Sequence, residues 1–247
     1  MKFSIGNEPF EIDDALLIAI VRAIEKAVSE DTPNQLRDLS LETNNYIAFI
    51  RGDFINQNLR GFAVQEGALL HAFRRYGWNG RLLISRESRL TISITTENNL
   101  GIIPRKIRQR PYFMQSLLHR MNGDLHGRFE QARLFDTDPF DDEVYAKDFD
   151  DIINGAFDPE DGYRHCVIAY RTSGNELVDI KLVVLDPWFN VVTEQSLTDY
   201  MKPDFALLTA SASTEIKSRE DHNAATRRLT SVKAGIKPTL REGEKQA

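Results

Sequence analysis

The stretch from Arg164 to Glu194, RHCVIAYRTSGNELVDIKLVVLDPWFNVVTE, decides the fold. Cys166, Ile168 and Tyr170 alternate onto one face of a first extended arm, and Val178, Ile180, Leu182 and Val184 onto one face of a second. Ser173-Gly174-Asn175 between them is turn chemistry, so the arms read as a β-hairpin. A slip of one residue would turn every apolar side chain to water, and the pattern predicts Tyr170 opposite Val178 and Ile168 opposite Ile180. Asp186-Pro187 then interrupts the ladder, because proline has no N–H to donate, and Phe189 to Thr193 resumes as a short edge strand.

Upstream, Leu90, Ile92 and Ile94 alternate with Thr91, Ser93 and Thr95, the pattern of a strand with one wet face. Leu82 and Ile84 are expected to pair with Ile92 and Leu90 across a turn at Arg86-Glu87-Ser88. Between and around the two hairpins the period changes to that of helices. Asp13 and Asp14 precede Leu17, Ile20, Val21, Ile24 and Val28, with Pro33 as the expected stop. Glu42 to Leu59 fits a helix as well as a buried strand, and helix is chosen. Leu69, Phe73 and Tyr76 continue in helical register, with Gly77 placed as the closing cap and Trp78-Asn79-Gly80 as a turn. Pro111 opens a helix carrying Met114, Leu117, Leu118 and Met121 inward, and Tyr145, Phe149, Ile152 and Ile153 define another from Asp142 to Asn154. Ser196-Leu197-Thr198-Asp199 resembles a capping box for a last short helix. The sum is an α+β fold: an antiparallel or mixed sheet built from two hairpins and covered by helices on at least one face.

A chain of 247 residues with 41% hydrophobic content can bury one large core, and residues 1–210 are read as one domain. Residues 211–247 form a basic tail, expected to be mobile, in which eight Lys and Arg stand against five Asp and Glu. A formal charge of -6 argues against a protein that coats nucleic acid or an anionic membrane over its whole surface, while leaving room for a local patch. The single cysteine, Cys166, excludes an internal disulfide and lies on an apolar strand face, the place of a core residue rather than a nucleophile. No early apolar run is long enough to serve as a signal peptide or a membrane span, so the expected location is the cytoplasm, with no membrane partner.

Two stretches could carry chemistry. Asp179-Ile180-Lys181 has the acid-x-lysine form that metal-dependent nucleases set on a strand, with Asp161 as the available upstream acid. Alternation puts Asp179 and Lys181 on one face, where the acid could bind Mg2+ or Mn2+ and the lysine could stabilise charge. The form recurs at Glu215-Ile216-Lys217, so the tripeptide alone is unspecific. The second stretch is basic: Arg105, Lys106, Arg108 and Arg110 lie between Pro104 and Pro111, with Tyr112 and Phe113 following. Its cations can contact phosphates and Tyr112 can stack on a base, although the acidic run from Asp136 to Asp161, opposed only by Lys147, could neutralise it. That run fails as a calcium loop, since Phe140, Asp141 and Lys147 occupy the ligand, glycine and closing-glutamate positions. The five histidines form no close metal pair, Arg51-Gly52-Asp53 is a chance copy of an adhesion motif, and no nucleotide-binding or hydrolase fingerprint is present. The leading expectation is a non-catalytic binding or regulatory protein for a macromolecular partner, protein or nucleic acid, that needs no cofactor. The alternative is a metal-dependent phosphodiesterase using Asp161, Asp179 and Lys181.

Overall fold

Residues 1–5, 8–39, 46–103, 108–126 and 140–201 are described by a computed structural model. Two antiparallel strands, β1 (Lys2–Ile5) and β2 (Glu8–Glu11), precede the helix α1 (Asp14–Lys26), whose amino end is capped by the Asp13 carboxylate accepting from the Ala15 N–H. The chain does not stop at Pro33 as expected. A π-helical turn, Ala27–Asp31, leads straight into α2 (Thr32–Leu39). The widened turn changes the hydrogen-bond spacing just where proline has no N–H to give, and the buried Thr32 hydroxyl donates to the Ala27 carbonyl at 2.6 Å. Helix α3 (Ile47–Phe62) confirms the helical choice for that segment.

The main sheet has six strands in the order β3 (Leu69–Arg75), β4 (Trp78–Ser85), β5 (Leu90–Thr96), β6 (Arg164–Ser173), β7 (Glu176–Leu185) and β8 (Val191–Ser196). All neighbours are antiparallel except β5 and β6, which run parallel. The crossover between them carries α4 (Glu97–Ile102), α5 (Phe113–Met121) and α6 (Asp142–Ile153). One face of the sheet, with Leu83, Ile92, Cys166, Ile168 and Leu182, packs on α1 and α3. The other, with Leu82, Ile84, Val167, Ala169 and Val183, packs on α5 and α6. The sheet is therefore the middle of three layers, which is the α+β class expected.

Three local expectations are corrected. Leu69 to Arg75 is a strand, not a helix: Tyr76 (φ 49) and Gly77 (φ 84) are the two left-handed residues of a tight hairpin turn that pairs Arg75 with Trp78. Gly77 supplies the positive φ that a helix cap needs and a hairpin turn needs equally, so the glycine alone does not distinguish the two. Gly80 lies inside β4, and a Cβ there would stand 2.2 Å from the Phe73 ring. Second, the β4–β5 register is Leu83 to Ile92, one residue from that expected, because the loop holds Arg86 to Arg89 with Arg89 at φ 51. Leu82 and Ile84 consequently face the opposite layer from Leu90 and Ile92. Third, Tyr170 pairs with Ile180 and Ile168 with Leu182. The turn is two residues, Gly174-Asn175, instead of three, and a bulge leaves Val178 unpartnered and exposed; each shifts the register by one residue, so the apolar faces stay matched.

The supposedly wet face of β5 is dry. Thr91 and Ser93 are buried against His165, whose Nδ1 lies 2.8 Å from the Thr91 hydroxyl and whose Nε2 lies 3.0 Å from that of Ser93. Burial lowers the His165 pKa from 6.5 to about 3, so the folded ring stays neutral where the unfolded one takes a proton. Stability should therefore be full above pH 6.5 and fall as pH drops from 6.5 toward about 3. The expected loss from this group is about 2 kcal/mol between pH 7 and pH 5. Urea titrations of the wild type and His165→Gln over that range check it, and an equal pH slope in both would refute it.

Candidate functional site

Asp179 and Lys181 do share a face of β7, as alternation requires, and they belong to a network of five charges. Lys181 Nζ lies 3.4 Å from Glu97, 4.0 Å from Asp179 and 3.9 Å from Glu194, while Arg171 lies 3.2 Å from Glu97 and 3.4 Å from Asp179. The hydrogen bond to Glu97 raises the Lys181 pKa, so the ammonium stays charged. Asp161 is elsewhere. It ends a 3-10 turn (Pro159–Asp161) just before β6, whereas Asp179 pairs with Arg171 near the far end of that strand. At the rise of an extended chain, Arg164 and Arg171 are roughly 23 Å apart. The acid facing Asp179 and Lys181 is thus Glu97, which no spacing rule would select, and its carboxylate already meets two cations. Among the described residues no group of three or more His, Cys, Asp or Glu is arranged to hold a metal ion. Cys166 is fully buried and its thiol is pushed up to about 12 by that burial, as suits a core residue.

The basic segment has a different setting. Arg105 and Lys106 lie outside the described residues; Arg108, Arg110 and Tyr112 lie within them. The Arg110 guanidinium sits 3.9 Å from the centre of the Tyr76 ring, and that of Arg108 sits 4.8 Å from the centre of Tyr112. The Arg75 guanidinium lies 4.9 Å from the centre of the same Tyr76 ring. Arg75 itself is fixed by the buried Asp148, whose carboxylate also accepts from the Ser116 hydroxyl, and by the Pro111 carbonyl. Among the described residues, helix α6 pairs with Arg75 through Asp148, and its Asp142 lies 3.5 Å from the His119 Nε2. Among the described residues Arg60, Arg74, Arg81, Arg108 and Arg110 make no ion pair.

Sequence reasoning missed the aromatic half of this surface. Tyr76 is 63% and Trp78 51% exposed at the tip of the β3–β4 hairpin, large rings in water beside unpaired arginines. Tyr76 also holds φ 49, a position that two-residue turns ordinarily give to Asn or Gly. A bulky residue there carries a conformational cost. Trp78 packs against Phe113 at 5.4 Å and Tyr112 against the same ring at 4.8 Å, so the tip joins the start of α5. Beside it lies a polar hollow of about 350 Å³ lined by Asp53, Asn56, Gln57, Arg60, Asn79 and Arg81.

Taken together, layers and surface define an α+β protein with a three-layer core and an arginine-and-tyrosine end built on a hairpin tip. The chain belongs to the family of unknown function DUF5986, whose model matches residues 9–246. No curated protein and no solved structure matches it. No helix of the described residues is long and apolar enough to cross a membrane.

Proposed function

We propose that the chain binds a macromolecular partner and that this partner is single-stranded nucleic acid, held at the β3–β4 tip. The observation that carries the reading is the stacking of Arg110 over the exposed, strained Tyr76. Single strands are bound sequence-tolerantly by a cationic surface that follows phosphates and by aromatic rings that accept bases, and this end offers both. The exposed rings favour single strands over duplex, whose bases are already stacked on one another and present only their edges in the grooves. The network at Asp179 and Lys181 lends no comparable support to phosphodiester cleavage, since its carboxylates face cations and Asp161 stands apart.

Fluorescence anisotropy with labelled single-stranded DNA, RNA and duplex tests this. Single strands should bind best, and affinity should fall steeply as salt rises. Arg110→Gln should weaken binding and reduce the salt slope by about 1, as expected for one lost phosphate contact. Tyr76→Asn, the better turn residue, should keep or raise thermal stability while cutting affinity about tenfold, the size of one lost stacking partner. No binding at low salt, or binding indifferent to salt, would remove the proposal.

A further inference from the structure

The β4–β5 ladder runs only from Ser85 opposite Leu90 to Leu83 opposite Ile92. Beyond that pair the strands part. Residues Trp78 to Leu82 remain paired to β3, and Ser93 to Thr96 to β6, so each strand has a row of backbone groups turned toward the other without a ladder partner. The parting opens a slot in the sheet of about 150 Å³, with the Leu83–Ile92 pair at its floor. Trp78, Tyr112 and Phe113 wall it on the side of α5, and Asn56 of α3 and Arg81 of β4 bring polar groups to it. Arg81 spends one N–H on the Gly80 carbonyl at 2.8 Å, which leaves further donors.

A space of about 150 Å³ holds one benzene-sized ring. A single six-membered ring fits that volume and a fused purine exceeds it. The chemistry of the lining is equally selective: aromatic faces suit a flat ring, while a carboxamide, a guanidinium and unpaired strand-edge groups suit an edge rich in donors and acceptors. The slot also adjoins the arginine surface, because Tyr112 lines it while carrying Arg108, and Arg81 lines both it and the polar hollow. We infer that the slot between β4 and β5 receives one pyrimidine base of the bound strand, stacked against Trp78 and hydrogen-bonded by Asn56 and Arg81. This rests on the single-strand reading above and adds to it a base preference and a place.

The chain has two tryptophans, so Trp188→Phe leaves Trp78 as the sole tryptophan, whose emission is selected by exciting at the red edge of the absorption band. In that background, oligo(dT) and oligo(dC) should quench Trp78 and bind about tenfold tighter than oligo(dA), the worth of one accommodated base. Asn56→Leu, a change on a partly exposed helix position, should erase the preference while leaving the melting temperature in place. Equal affinity for all oligomers with unmoved emission would overturn the slot assignment and leave the surface reading standing. Loss of binding to every oligomer in the wild type would overturn both. A preference for oligo(dA), or an undiminished pyrimidine preference in Asn56→Leu, would also refute the assignment.

Discussion

Asp148→Ala is expected to destabilise the protein by about 3–5 kcal/mol, the usual result of leaving one member of a buried ion pair alone. The carboxylate is 4% exposed and Arg75 12%, so neither charge can turn to water. Asp148 accepts from Arg75 at 2.5 and 2.8 Å and from Ser116 at 2.5 Å, and Arg75 gives a further bond to the Pro111 carbonyl. Three elements meet there: the end of β3, the entry to α5 and the middle of α6. Domains of this kind have a net stability of about 5–15 kcal/mol, so the loss is a large fraction of the whole. The double substitution Arg75→Met with Asp148→Leu removes both charges and should recover most of it. Urea unfolding of the three proteins decides the matter: a single-variant loss below about 1 kcal/mol would mean that the pair is wet and contributes little.

Asn122 carries the second large effect. Just past the last turn of α5 it is fully buried, and its carboxamide closes the open ends of β6 and β7. The amide nitrogen donates to the carbonyls of His165 at 2.9 Å and Leu185 at 2.7 Å, and the amide oxygen accepts from the His165 N–H at 3.0 Å. Asn122→Ala orphans three backbone groups in a dry place, at about 1–3 kcal/mol for each group left unsatisfied, and a total loss of at least about 3 kcal/mol is expected. Asn122→Asp is the sharper test, because it keeps the shape and points acceptor oxygens at two carbonyls. It should cost at least as much as alanine at neutral pH. Thermal unfolding that shows the aspartate variant within about 1 kcal/mol of wild type would contradict the geometry.

Much of this fold is legible without coordinates, and the reasons differ by element. The helices α5 and α6 show themselves because each buries one stripe, so Met114, Leu117, Leu118 and Met121 repeat at helical spacing. Strand β3 hides because it is an edge strand in which only Phe73 is buried: Leu69-Leu70-His71-Ala72-Phe73 neither alternates cleanly nor excludes a helix. Registers fail for another reason, since a loop of four residues instead of three, or one bulged valine, is invisible to a period of two. Cations at Arg108 and Arg110 can be read from the chain, and so can Tyr112. What cannot be read is that Tyr76 and Trp78, far upstream, come to stand beside them, or that Glu97 rather than Asp161 faces Lys181. Those are facts of topology. A trace of the first was nonetheless present, because Tyr76-Gly77-Trp78 is a tight-turn sequence with an aromatic where asparagine belongs.

The parallel seam between β5 and β6 has a kinetic consequence. On either side of it the strands form short-range meanders, β3 to β5 and β6 to β8, whose contacts are close in sequence and quick to close. The seam joins residues separated by the whole span from Glu97 to Tyr163, and loop closure over that distance opposes it until both meanders exist. This topology favours the docking of two preformed halves, along pairs such as Ile92–Cys166 and Ile94–Ile168, as a late step of folding. Synthesis from the ribosome sets the same order, releasing the first meander, with the hairpin tip already built, well before the second has emerged.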